Sequence, residues 1–285
     1  MSYIKFQLFR SKMHFVQKTS KLETDKILTQ SELVSKVTSA KVNKGSEVCH
    51  IIGSGWSLHE SISAVDGEDF VIGFNYAGLN RIPFDVYCVE FGGDSVKNIS
   101  HQHLSIVKDY VSKHTNLIFF KNLWEEKNDM VFVNKHWLGV ATPVKDRIYQ
   151  AFDRKYLDCV IETMLSDQSD YLPQMTSSVV TSIMLAYKAG FKKIVIHGLD
   201  FGGQYFYEVD GFQVDPTYIP DKKPEGGFYG KTEKKFVHPT ANGVMGMKEI
   251  VPDLKTCLEK RGVGLFCATS NTPVSEFLPV YGVNN

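Results

Sequence analysis

Three stretches of this 285-residue chain hold residue types that could act together. Residues 192–201 read as a buried strand ending in a glycine turn and a carboxylate, Gly198-Leu199-Asp200-Phe201. Met175-Thr176-Ser177-Ser178 reads as a small-hydroxyl loop that opens a helix. His238-Pro239-Thr240 sets one histidine at the edge of a loop rich in Gly and Lys. A strand floor, hydroxyls that can donate to a phosphate, and an imidazole that can take a proton are the parts that transfer from a nucleotide-linked sugar would need.

The elements that must position them follow from apolar periodicity. Short apolar runs at 48–52, 70–74, 85–89, 116–120, 193–197 and 263–268 read as strands. Between them lie segments with helical spacing or capping signals. At 57–64, Ser57 stands three residues before Glu60, the spacing of a capping box. Helical spacing marks 94–114, 144–165 and 177–189, the last closed by Gly190. A final long helix spans about 243–261, interrupted or kinked at Pro252, and a short one spans 274–279. Strands alternating with helices predict an α/β fold: a mainly parallel sheet with helices on both faces, in one domain over 47–285. Residues 202–237 contain six glycines and are expected to form a flexible lid.

Residues 1–46 carry nine Lys/Arg against three Asp/Glu and form a basic N-terminal extension. It reads either as a helix or arm packed on the domain or as an amphipathic anchor on an anionic membrane face. The whole chain balances 32 basic against 32 acidic residues, so no net field draws it to nucleic acid. Hydrophobic content of 43% with 22% charged residues is ordinary for a soluble protein. Five cysteines without a C-x-x-C pair predict reduced, buried thiols and a cytoplasmic location, with peripheral contact to an inner membrane as the alternative. The first ten residues are too short and interrupted for a signal peptide, and no apolar run is long enough to span a bilayer.

In a parallel sheet, ligands bind at the carboxyl ends of the strands. The first such turn, Gly53-Ser54-Gly55-Trp56-Ser57, resembles half of a dinucleotide fingerprint, with Leu58 at the third glycine position. The second strand ends in Asn75-Tyr76, where a dinucleotide or methyl-donor site wants an acid for the ribose. An amide donates and accepts together, which suits a pyrimidine edge or a ribose. There is no P-loop, no D-x-D metal element and no zinc spacing; His101 and His103 are two apart and share no helical face. No metal and no cofactor are expected.

The ordered set Gly53–Ser57, Gly73-Phe74-Asn75, Thr176-Ser177-Ser178, Gly198–Phe201, His238 and Cys267–Pro273 resembles the bacterial lipooligosaccharide sialyltransferases, glycosyltransferase family 42. The resemblance covers roughly 48–60 and 172–280. It implies a single Rossmann-like glycosyltransferase domain of a GT-A-like variant with a lid. It also implies a CMP-sugar donor, a glycan or lipid-linked glycan acceptor, no metal, and stacking into homo-oligomers. Carried over by position, Gly53, Ser54, Gly55 and Ser57 would line the nucleotide phosphate, and Asn75 would contact CMP. Thr176, Ser177 and Ser178 would lie near the donor phosphate and sugar carboxylate, while Gly198, Leu199, Asp200 and Phe201 would close around the nucleoside. Tyr205 or Tyr207 would steady the departing phosphate, and His238 would be the general base. Gln174 stands where the family has arginine, Ser178 where it has glycine, and Ser54 where it has asparagine. The sugar is therefore open among sialic acid, Kdo and a legionaminic-type acid.

Each residue also has a plainer reading. His238 could be a surface loop histidine, and His197 a satisfied core histidine. Asp200 could cap a turn and Ser177 a helix, while Trp56 could pack in the core. Lys222, Lys223, Lys231, Lys234 and Lys235 read as a solvated loop face or as an attractor for anions. The rival functions are a methyltransferase or phosphotransferase on the same scaffold and a non-catalytic nucleotide-binding module.

Overall fold

The computed structural model describes residues 27–28, 30–90, 115–122, 139–140, 157–166, 172, 177–212 and 246–283. His238, Thr176, the lysines of 222–235, the expected helix at 94–114 and most of that at 144–165 lie outside these.

The strands are β1 (Ile27–Leu28), β2 (Val48–Ile52), β3 (Phe70–Phe74), β4 (Phe84–Glu90), β5 (Thr115–Asn122), β6 (Gly139–Val140), β7 (Lys193–His197) and β8 (Gly264–Cys267). The helices are α1 (Gln30–Lys44), α2 (Leu58–Ser61), α3 (Leu157–Met164), α4 (Ser178–Lys188) and α5 (Met247–Glu259). Six strands form one sheet in the order β5-β4-β3-β2-β7-β8, every neighbouring pair parallel. β1 and β6 form a separate two-stranded parallel pair.

Chain order runs outward from β2 through β3 to β5, then jumps back to β7 on the other side. The sheet therefore reverses direction of growth between β2 and β7, and the carboxyl ends of strands at such a reversal are where α/β sheets bind ligands. The turns that start at Gly53 and Gly198 leave the sheet there.

Alternate residues of each strand face opposite ways. On one face Cys49 and Ile51, Ile72, Val86, Ile194 and Ile196 join a single core with α1, α3, α4 and α5. Phe70 meets Phe191 there at 4.9 Å between ring centroids. On the other face His50 and His197 lie beneath α2 and the C-terminal segment, where Tyr281 stands edge-on to His50 at 6.1 Å. Among the described residues, the longer helices thus share one face, and the second is covered by α2 and irregular chain.

Several boundaries differ from the sequence reading. Within the basic stretch 1–46, α1 packs on the domain as a helix, the first of the two readings given for that stretch. Its Leu33 and Val37 are fully buried, Lys41 donates to the Gly190 carbonyl at 2.7 Å, and Lys44 pairs with Asp85 at 2.7 Å. α5 continues through Pro252, because burial of Ile250, Val251, Leu254 and Leu258 outweighs the one helix bond that proline forfeits. The capping box at Ser57 does not form; its hydroxyl donates to Asp200 instead. The start of the expected lid is fastened to the body: Phe206 is fully buried and its N–H donates to the Ser54 carbonyl at 3.1 Å. Cys49, Cys88, Cys257 and Cys267 are buried and form no disulfide. Among the described residues no helix is long and apolar enough to cross a membrane.

If α1 is part of the core, Leu33→Ala should cost about 2–5 kcal/mol. Val42→Ala, at a position 71% exposed on the same helix, should change stability by less than about 0.5 kcal/mol. Urea unfolding of both variants checks this; equal midpoints would place α1 outside the cooperative unit.

Candidate functional site

At this reversal point two turns approach within backbone contact. The Gly53 N–H donates to the His197 carbonyl and the Gly55 N–H to the Gly198 carbonyl, both at 3.0 Å. A Cβ at Gly53 or at Gly55 would lie 2.7 Å from the Gly198 oxygen. These glycines are thus required by the approach of the neighbouring turn. Two of the amides expected to face a phosphate are committed to carbonyls of the protein.

Asp200 completes the seam. It is 6% exposed. Its Oδ2 accepts from the Ser57 N–H at 2.8 Å, and its Oδ1 accepts from the Ser57 and Thr272 hydroxyls at 2.6 and 2.7 Å. Burial pushes its carboxyl up, while the Ser57 and Thr272 donors pull it back. One carboxylate thereby ties the turns after β2, β7 and β8 together. Ser57 is wholly buried, with its hydroxyl and amide both directed at Asp200.

The next residues also turn inward. Leu199 is 9% exposed and Phe201 7%, with the Phe201 ring against Phe277 at 6.0 Å and under Lys248 at 5.8 Å. Phe201 holds a left-handed backbone, φ 57°, before Gly202 and Gly203. Ser177 caps α4, accepting from the Val179 N–H at 3.3 Å, and Ser178 is buried. The start of α4 lies at the carboxyl edge of the sheet, because α4 leads directly into the amino end of β7.

A second cluster lies beside this seam. Asn75, directly after β3, adopts a left-handed backbone at φ 53°. The Tyr87 hydroxyl holds that turn by donating to the Asn75 carbonyl and accepting from the Gly78 N–H. The side-chain oxygen of Asn75 is buried and has no hydrogen-bond partner among the described residues. Next to it, Tyr76 meets Tyr205 at 5.9 Å and Tyr207 at 5.6 Å, and those two rings stack at 5.1 Å and 10°. Tyr205 reaches this position because it pairs with Gly55 in an antiparallel bridge.

The structure therefore brings Gly53, Ser54, Gly55, Ser57 and Gly198–Asp200 into one seam. It brings Asn75, Tyr205 and Tyr207 into the adjoining cluster. Tyr76 was missed by the sequence reading; its place beside Asn75 at a strand end was the available signal. Among the described residues no group of three or more His, Cys, Asp or Glu could hold a metal ion.

Beneath the seam, His50 Nδ1 and His197 Nε2 are 2.8 Å apart, both side chains almost fully buried. Burial, then the neighbouring His50, pushes the His197 ring down to about 3. Burial also lowers His50, against the opposing pull of Asp69.

No protein-family model matches the chain, and no curated relative matches it. Solved structures do. The chain is similar to the sialyltransferase CstII from Campylobacter jejuni in complex with cytidine-5'-monophosphate. The identity is 15% and the TM-score 0.46, over 82% of this chain and 84% of that one. It is also similar to the monofunctional alpha-2,3-sialyltransferase Cst-I from Campylobacter jejuni, at 16% identity and a TM-score of 0.48, over 91% of this chain and 84% of that one.

Two outcomes test the site's internal forces. Asp200→Ala should cost about 3 kcal/mol by leaving the buried Ser57 and Thr272 donors unmatched, whereas Ser57→Ala, which keeps the backbone bond, should cost about 1 kcal/mol. Urea midpoints rank the two. For His197, the folded ring binds its proton only near pH 3 while the unfolded ring does so near 6.5. Its contribution is constant above pH 6.5, and stability falls as pH drops below it, at up to about 1.4 kcal/mol per pH unit. A wild-type acid slope no steeper than that of His197→Asn would remove this assignment.

Proposed function

We propose that the chain is a metal-independent, inverting glycosyltransferase. It transfers an acidic sugar from a CMP-sugar to a glycan acceptor in bacterial surface-polysaccharide assembly, at the cytoplasmic side of the membrane. The sugar class is sialic acid, Kdo or a related nonulosonic acid.

The observation that carries the reading is the buried Asn75 side-chain oxygen, without a partner among the described residues, directly before Tyr76 of the three-tyrosine cluster at the carboxyl edge of a parallel sheet. A buried acceptor without a donor costs free energy that a ligand donor would recover. The 4-amino group of cytosine and a ribose hydroxyl are such donors; the carbonyl that uracil carries at that position is not. An amide adds no charge to repel a nucleotide phosphate. Tyrosine hydroxyls from 205 or 207 can donate to the charge that grows on departing CMP, as the resemblance implies. His238 would take the proton from the acceptor hydroxyl.

The glycine turn contributes differently from a dinucleotide fingerprint. With Gly53 and Gly55 amides held by carbonyls, phosphate binding falls to the Thr176–Ser178 loop at the start of α4 and to the tyrosines.

The test is calorimetric titration of the full chain with CMP, UMP, NAD and S-adenosylmethionine in EDTA. CMP should bind, UMP more weakly, and Asn75→Ala should weaken CMP by about tenfold. His238→Ala should bind CMP normally while losing transfer from CMP-sialic acid or CMP-Kdo. Silence toward CMP beside clear binding of another nucleotide would overturn the reading.

A further inference from the structure

The second face of the sheet holds a hydrogen-bonded chain that the reading above does not use. Asp69 Oδ2 lies 3.1 Å from His50 Nε2, and His50 Nδ1 lies 2.8 Å from His197 Nε2. His197 Nδ1 lies 3.0 Å from the Ser61 hydroxyl. The rings of His50 and His197 are each 1% exposed and Ser61 is 2% exposed, while the Asp69 side chain, at 23%, reaches solvent. The line thus crosses β2 and β7 from the sheet's rim to the end of α2.

A carboxylate can only accept, so His50 Nε2 carries the proton toward Asp69. A neutral His50 then has a bare Nδ1, which accepts from His197 Nε2–H. A neutral His197 has in turn a bare Nδ1, which accepts from the Ser61 hydroxyl. One carboxylate therefore fixes both tautomers and the direction of the last bond. Burial favours the neutral rings on which this order depends. Asp69 is itself held by the Ser46 hydroxyl at 3.0 Å. Asp66, Lys44 and the edge-on Tyr281 also face His50.

Ser61 has one hydroxyl proton. Without an acceptor at His197 Nδ1, that proton turns to the Ser57 or Leu58 carbonyl, each 3.4 Å away. Ser57 is the residue whose amide and hydroxyl hold Asp200. The His197 main-chain carbonyl meanwhile receives the Gly53 amide. One residue thus grips the 53–61 segment at both ends, by its backbone at Gly53 and its ring at Ser61.

We propose that His197 is a positioning residue for the 53–61 segment, acting through Ser61, with Asp69 setting its tautomer through His50. The consequence for donor binding rests on the function proposed above; the consequence for the segment itself does not.

Two substitutions separate the grip from simple filling of space. His197→Asn puts an amide oxygen near the place of Nδ1 and can accept from Ser61. His197→Gln is nearer in volume but carries its polar atoms at the place of Nε2. Hydrogen exchange of the 57–61 amides in the full chain should stay within about threefold of wild type in His197→Asn. It should rise about tenfold in His197→Gln, the effect of one buried hydrogen bond. A role in packing alone gives the opposite order and overturns the proposal. Nitrogen-15 histidine NMR of the wild-type chain at pH 7.5 gives a reading that no variant can spoil. Both rings should carry the proton on Nε2, and a proton on Nδ1 of either ring refutes the relay. CMP affinity should follow the exchange, within threefold for Asn and about tenfold weaker for Gln. Absence of CMP binding in the wild type would count against the nucleotide reading while exchange and tautomers still decide this one.

Discussion

The approach of two backbones at the ends of β2 and β7 governs everything above the sheet. Gly53 and Gly55 donate to the carbonyls of residues 197 and 198 at 3.0 Å. No side chain fits between them, since even a Cβ would come within 2.7 Å of a carbonyl oxygen. Strand pairing brings His197 opposite Ile52 and so launches both turns from the same level. Their polar groups then satisfy each other away from water, where an unmatched donor would cost about 1–3 kcal/mol. Asp200 extends the same logic to the Ser57 and Thr272 hydroxyls.

That seam explains how the site can carry strain. Phe201 holds a left-handed backbone, a conformation that costs about 1–2 kcal/mol at an ordinary residue, and Asn75, a type that takes it more readily, holds it too. Each is fixed by neighbours that leave little room to relax. Tyr87 braces the Asn75 turn from beneath, and burial against Phe277 holds Phe201. Tyr205 is drawn over the glycine turn by its bridge to Gly55, which sets its ring against Tyr207 and Tyr76. Beside this floor and aromatic cluster, the Asn75 side-chain oxygen is buried with no hydrogen-bond partner among the described residues.

The lower face meets the same requirement by a different route. Two imidazoles in an apolar strand face would be costly if charged, and burial keeps them neutral. Neutral rings need one donor and one acceptor each, which the Asp69–His50–His197–Ser61 line supplies. This polar thread lies opposite the face where Ile51, Ile194 and Ile196 meet the helices. The sheet thus separates an apolar core from a polar support for the turns above it.

Much of this was legible in the chain itself. Short apolar runs marked all six strands of the sheet within a residue or two, because burial on both faces leaves near-continuous apolar sequence. The turn positions Gly53, Asn75 and Gly198 were legible as strand ends for the same reason. The partners of these residues were not. Asp200 lies 143 residues from Ser57 and His50 lies 147 from His197, separations that no local pattern encodes. The Ser57–Glu60 spacing suggested a capping box, yet the Ser57 hydroxyl donates to Asp200 and accepts from no helix-end amide. Likewise the glycines of 202–237 read as a lid, while Phe206 and Tyr207 bury their rings and hold its first part down. Sequence by itself determined the alternation of strands and helices, and hence a parallel sheet with a site at its carboxyl edge. Only the tertiary structure decided which polar groups satisfy one another, because that depends on which strands lie side by side.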